Sequence, residues 1–284
     1  MPVRGGAFVS MTAMSFFGAG RPRVFAHRGG SALAPENTLA AFAAGLRAGA
    51  DGLELDVHLA ADGVPVVIHD DLLDRTTNAT GPVAARTAAE LAGVDAAWWF
   101  QGPGGEFALR GQGLGVPRLR DVLLQHRGVP IIIEMKVDSE AMAAGVAGDI
   151  RAAGAEDMVC CAGYGGTSAA LVRRLLPGVA TSACHAEVRL AVYRSWSGWP
   201  VKRPPFGGYQ VPEHAGRVRI VSPRFIRHAH AAGLEVQVWT VDTEADMERF
   251  LAWGVDALIS NRPDLEATVR DTFVGTVAAA PART

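Results

Sequence analysis

Gly52-Leu53-Glu54-Leu55-Asp56-Val57-His58-Leu59 is a strand in which every second residue breaks the rule for a buried sheet. Side chains along a strand alternate between its two faces. Leu53, Leu55, Val57 and Leu59 therefore make one apolar face, and the other carries two carboxylates and an imidazole. Carboxylates that face an interior are costly unless a cation sits among them, so a divalent metal is the natural expectation. Just upstream, Val24-Phe25-Ala26 reads as a short buried strand that ends on His27-Arg28-Gly29. Polar residues at the carboxyl end of such a strand are where β/α barrels carry their chemistry.

Further out, Asn37 or Thr38 caps a helix with apolar Leu39, Phe42 and Leu46, and Gly49 ends it. Asp62-Gly63 between apolar runs predicts a hairpin after the acidic strand. A two-residue loop would set Asp56 opposite His69. Pro130-Ile131-Ile132-Ile133-Glu134-Met135-Lys136 is a β-branched strand with Ile132, Glu134 and Lys136 on one face. Glu134 adds a third oxygen donor. Three carboxylates suit Mg²⁺ or Ca²⁺, whereas no Cys or His cluster has zinc spacing.

The rest alternates strand and helix: strands near 158–162, 179–184, 209–211, 236–241 and 257–260, helices at 120–127, 169–176, 223–232 and 244–253. Alternation without a linker favours a closed parallel α/β barrel over an open doubly wound sheet, and no G-x-G-x-x-G follows the first strand. Residues 81–116, rich in glycine around Trp98-Trp99-Phe100, are expected to be an insertion. Residues 1–22 are expected to be an untidy leader that loosely imitates a signal peptide, with Met11 and Met14 as alternative translation starts, residues 23–270 the barrel, and 271–284 a loose tail.

The chain has 284 residues, 49% hydrophobic and 20% charged, with a formal net charge of -2. That balance is not a nucleic-acid footprint. No stretch has the ~20 apolar residues of a membrane span. Cys160, Cys161 and Cys184 are expected as buried thiols, in keeping with a cytoplasmic protein, export being the alternative. His27 and His69, at strand ends, are candidates for proton transfer, and Arg28 and Lys136 for neutralising the acids or holding phosphate. His58 either lines the barrel or lies past the acids at a hairpin end. His126, His185, His214, His228 and His230 are expected to be surface or packing residues, and Trp239 a wall of the substrate site.

In order, His27-Arg28-Gly29, Pro35-Glu36-Asn37-Thr38, Glu54-Leu55-Asp56-Val57, Asp62-Gly63 with His69-Asp70 and Leu73-Asp74-Arg75-Thr76, Glu134-Met135-Lys136, Trp239-Thr240-Val241, Gly254-Val255-Asp256 and Asn261-Arg262-Pro263-Asp264 resemble the glycerophosphodiester phosphodiesterases. The resemblance covers about residues 24–266. It implies a distorted TIM (β/α)8 barrel with a small inserted segment, and hydrolysis of glycerophosphodiesters to sn-glycerol 3-phosphate and an alcohol, a step of lipid metabolism. It also implies a metal at Glu54, Asp56 and Glu134, general acid and base at His27 and His69, and phosphate held by Arg28 and Lys136. Asp242 stands where relatives often have Asn, and Ala162-Gly163-Tyr164-Gly165-Gly166 replaces a more familiar Ser-Phe run. These departures, with the Trp196–Gly208 region, leave the head group open. Two other readings are a lysophospholipid substrate, with Trp98, Trp99 and Phe100 as an acyl ramp, and a non-catalytic phosphate sensor.

Overall fold

The computed structural model describes residues 16–279. Its strands are β1 (Arg23–Ala26), β2 (Gly52–Leu59), β3 (Pro65–Val67), β4 (Ile131–Met135), β5 (Val159–Gly163), β6 (Ala180–Thr181), β7 (Gly208–Pro212), β8 (His214–Ala215), β9 (Val218–Arg219), β10 (Glu235–Trp239) and β11 (Ala257–Ser260). The order β6-β5-β4-β2-β1-β11-β10-β7 is parallel throughout, and a Ser182–Gly208 bridge joins its two ends into a barrel of eight strands.

Helices alternate with these strands and cover the outside: α1 (Leu39–Arg47), α2 (Ala88–Ala92), α3 (Leu119–Gln125), α4 (Glu140–Ala153), α5 (Gly166–Leu175), α6 (His185–Ser197), α7 (Pro223–His230), α8 (Glu244–Trp253) and α9 (Pro263–Ala279). Leu53, Leu55, Val57, Ile131, Ile133 and Met135 all point outward into one continuous core beneath the helices. The polar alternates of β2 and β4 are thereby forced to face the barrel axis. Thr38 caps α1, its hydroxyl accepting the Ala41 amide at 3.2 Å. Gly29 and Gly45 let the His27–Gly29 turn lie directly on α1. A Cβ on Gly29 would meet Ala41 and Phe42 backbone at 2.7 Å, and one on Gly45 would meet the Gly29 carbonyl at 2.5 Å.

The hairpin forms, but one residue out of the expected register. Val57 pairs with Val67, so Asp56 stands level with Ile68 rather than His69. Its loop is a three-residue one, Ala61-Asp62-Gly63, closed by the Ala60 amide on the Val64 carbonyl, with Gly63 left-handed at φ 76°. A glycine in that conformation is the mark of a three-residue hairpin loop, and such a slip exchanges the faces of the returning strand.

The segment that follows is an excursion with its own small core, in which Leu73, Val83, Leu91 and Val116 pack under Val66 and Ile68. Buried Asp95 ties it together, accepting the amides of Ala97 at 2.9 Å and Gly111 at 2.6 Å.

Both expected ends change. Phe16 is buried, stacked on Phe25 at 5.9 Å, and belongs to the cluster of Ile132, Cys160 and Ile259 that fills the barrel axis. Phe16 and Phe17, within the expected leader, thus pack on the barrel's amino-terminal floor; residues 1–15 of that expected leader, with Met11 and Met14, lie outside the described residues. At the other end, helix α9 continues to Ala279 instead of giving way to a loose tail at 271. Leu265, Val269 and Phe273 recur at helical spacing and pack on the core, which carries the helix past that boundary.

Replacing Phe16 with alanine removes a buried ring, and about 3 kcal/mol of stability should go with it. Urea unfolding of the variant against the parent measures the loss; an unchanged midpoint would mean that Phe16 does not close the barrel.

Candidate active site

Strand register builds the site. Asp56 on β2 pairs directly with Glu134 on β4, and Ala26 pairs with Leu53, so His27 follows level with Glu54. One oxygen each from Glu54, Asp56 and Glu134 lies within 4.8 Å of the others. Glu54 is 4% and Asp56 1% exposed, a burial that bare carboxylates do not sustain unaided. Lys136 Nζ sits 2.9 Å from Asp56 and 3.1 Å from Glu134, Arg28 Nε lies 3.4 Å from Asp56, and Asn37 Nδ2 donates to Asp56 at 2.8 Å. Arg28 is left-handed at φ 51°, a turn that brings its amide to donate to Glu54 at 3.0 Å.

Charge divides the two inner acids. Burial drives the Glu54 carboxyl well above the ordinary carboxylate range, and neighbouring Asp56 and Glu134 push it further. Burial pushes Asp56 upward too, but Lys136 and Arg28 outweigh it and hold that carboxyl below its usual value. The same acids outweigh burial at Lys136 and raise the ammonium above its ordinary value. A trio of hard oxygen donors short of positive charge at Glu54 fits a divalent cation of the Mg²⁺ or Ca²⁺ type.

Both histidines are oriented by a second residue. Asn261 Nδ2 donates to Asp242 at 2.7 Å, which turns Asn261 Oδ1 toward His27 and makes His27 Nδ1 the donor of their 2.7 Å bond. Ser31 donates to that same oxygen. His27 Nε2 is thus left with its lone pair toward the pocket, 3.9 Å from Glu54. Burial lowers this imidazole below its usual value, and the Asn261 bond offsets that only in part. His69 Nδ1 donates to Asp70 at 2.6 Å, and Arg75 clamps Asp70 from the far side at 2.6 Å. Glu36 bridges Arg75 and Arg28, accepting from them at 2.8 Å and 2.9 Å, so one network joins both histidine loops.

His27, Arg28, Glu54, His69, Glu134 and Lys136 line one pocket of about 330 Å³ at the carboxyl end of the barrel, and Trp239, 40% exposed, forms part of its wall. Every residue expected at the site is therefore gathered there or, for Asp56, directly behind it. His58 lies past the acids on the β2–β3 hairpin, level with Val66, and hydrogen-bonds the His69 carbonyl at 3.0 Å instead of entering the pocket. His185 departs from expectation: it lines the pocket, stacked on Tyr164 at 4.4 Å. Trp98, Trp99 and Phe100 do not line it; Arg110 stacks on Trp98 at 4.5 Å, and Trp99 is 54% exposed. Asn37, Asp70, Arg75, Asp242 and Asn261 orient the site, a role the sequence reading gave to none of them, although all but Asp242 fall within the quoted motifs. Their roles depend on contacts between segments far apart in the chain.

A family model, the glycerophosphoryl diester phosphodiesterase family, matches residues 27–265. This chain belongs to that family. It is an enzyme of the same class, a phosphoric diester hydrolase. A glycerophosphodiester phosphodiesterase of Bacillus altitudinis is 32% identical over 257 residues, covering 88% of this chain and 98% of the relative. One from Caldanaerobacter subterraneus subsp. tengcongensis is 31% identical over 260 residues, covering 85% and 94%. Among solved structures, an Oleispira antarctica phosphodiesterase in complex with the product sn-glycerol-3-phosphate superposes with a TM-score of 0.73 at 27% identity, covering 91% of this chain and 99% of that one.

Glu54 yields a pH prediction with a definite sign. Its folded value lies above the unfolded one, about 4.3, so in that window the cation-free folded state binds the extra proton and this group's contribution to stability falls as pH rises. A cation competes with that proton, so Mg²⁺ or Ca²⁺ should raise the melting temperature more at pH 8 than at pH 5.5. Glu54→Gln should lose most of the increment; thermal unfolding with each ion or EDTA tests it, and an increment independent of both pH and Glu54 would exclude the carboxylate trio as the site.

Proposed function

We propose that this chain hydrolyses small, water-soluble glycerophosphodiesters to sn-glycerol 3-phosphate and the head-group alcohol, with Mg²⁺ or Ca²⁺ held by Glu54, Asp56 and Glu134. The observation that carries the proposal is the convergence of two imidazoles, each with Nδ1 committed to a fixed partner, on the pocket that holds the acidic trio. The product complex of the Oleispira antarctica relative supports the same substrate class.

When bound, the cation supplies positive charge against the phosphate and the reacting oxygen. The rest is the work of this chain's residues. His27 Nε2, neutral and lone pair outward, takes the proton of the glycerol 2-hydroxyl as its oxygen attacks phosphorus. His69, held in place by its hydrogen bond to Asp70, gives a proton to the departing head-group oxygen. The cyclic phosphate so formed is opened by water with the two roles exchanged, which returns both imidazoles to their starting state. Arg28 and Lys136 hold the phosphate oxygens; Lys136 is freed for this because its partners Asp56 and Glu134 are cation ligands. Trp239 walls the substrate.

Among the described residues no helix is long and apolar enough to cross a membrane. All three cysteines are free thiols with no disulfide among them, which suits a reducing compartment; a cytoplasmic role in lipid metabolism completes the proposal.

Incubation with glycerophosphocholine or glycerophosphoethanolamine and Mg²⁺ or Ca²⁺ should release sn-glycerol 3-phosphate, and EDTA should stop it. His27→Ala and His69→Ala should each lose ~10² to 10⁴ in kcat. Absence of glycerol 3-phosphate from every mixture would overturn the reading.

A further inference from the structure

Strands β7 and β2 lie four steps apart in either direction round the barrel, so they face each other across its axis. Gln210 on β7 points inward there and lines the pocket opposite the carboxylates. From it a polar thread descends the axis. Gln210 Nε2 donates to Gln237 Oε1 at 2.9 Å, Gln237 Nε2 donates to Glu235 at 3.0 Å, and Glu235 accepts from buried Arg23 at 3.1 Å.

The direction of this thread is forced. A guanidinium can only donate and an ionised carboxylate only accept. Glu235 therefore requires the nitrogen of the fully buried Gln237 amide, Gln237 must offer its oxygen to Gln210, and Gln210 must answer with its nitrogen. The Gln210 oxygen is the end left over. It is buried and meets no donor among the described residues. A buried acceptor at the edge of a reaction pocket is matched by a ligand that brings a proton to it.

We propose that Gln210 Oε1 accepts a hydrogen bond from the terminal hydroxyl of the substrate's glycerol moiety, making Gln210 a specificity residue for glycerol esters. This rests on the glycerophosphodiesterase reading above. The 2-hydroxyl is engaged by His27, and phosphate oxygens in the diester carry no proton, so the terminal hydroxyl is the donor that remains. Choline has no N–H or O–H, so with glycerophosphocholine the head group cannot supply the bond.

The test compares glycerophosphocholine with the phosphocholine ester of propane-1,2-diol, which keeps the secondary hydroxyl and lacks the terminal one. The parent enzyme should show kcat/KM about 10- to 100-fold lower on the deoxy ester. Gln210→Met, of similar length without the acceptor, should lose a comparable factor on glycerophosphocholine and almost nothing on the deoxy ester, so the discrimination collapses. Gln210→Leu repeats the measurement should the methionine variant fail to fold, and the parent comparison needs no variant. Equal rates on the two esters, as expected if only water meets this oxygen, would overturn the inference and leave the phosphodiesterase reading intact; so would a Gln210→Met enzyme that still discriminates. Absence of turnover on both esters, with no calorimetric binding of sn-glycerol 3-phosphate, would instead overturn the underlying reading and this inference with it.

Discussion

Burial of two carboxylates on the inner face of one strand is the constraint around which this barrel is organised. Neither Glu54 nor Asp56 has room to swing into water, and the outward alternates of β2 are locked in the helix-covered core. The protein answers with charge placed by backbone geometry: Lys136 one step beyond β4, Arg28 in a left-handed turn beyond β1, and the Asn37 carboxamide at the mouth of α1. Removing one such partner would strand a buried charge, a far larger cost than an exposed ion pair incurs. The balance is incomplete at Glu54, whose carboxyl is held toward its protonated form by burial and then by the remaining acids.

Around that centre the chain fixes orientation with groups that do not enter the pocket. Asp242 sets the Asn261 amide, which sets the tautomer of His27; Arg75 and Asp70 do the corresponding work for His69. Glu36 couples the two halves through Arg28 and Arg75. Asp242 itself has a structural role: its carboxylate accepts from both the Asn261 backbone amide and the Ser260 hydroxyl. The Gln210–Gln237–Glu235–Arg23 thread extends the same logic to the opposite wall, with a charged pair at the floor dictating the polarity of an amide near the substrate.

Legibility followed the range of the interactions. Helix α8 lies over 244–253 as the pattern expects, because a Thr243 cap, acidic first turn and Gly254 stop are all local. Helices α4 and α6 were less visible, as small residues dilute their buried stripes: Ala143, Ala147 and Ala153 in α4, Ala191 and Ser195 in α6. The hairpin was legible but not its register, since Asp62-Gly63 fits both a two- and a three-residue loop. Phe16 carried no signal in a segment resembling a leader; only the hollow end of a closed barrel gives it a place.

The sequence by itself determined the period-two pattern of Glu54 and Asp56, the strand-end positions of His27 and His69, the third acid at Glu134, and with the strand–helix alternation the barrel class, because alternation and strand-end placement are properties of consecutive residues. Tertiary structure alone decided which residues orient that chemistry. Asn261 is 234 positions from His27 and Arg75 is 39 from Glu36, and no local rule connects them. Closing eight strands into a ring brings such residues within hydrogen-bonding distance, and it is the ring, not the chain, that fixes which nitrogen of an imidazole and which oxygen of an amide faces the pocket.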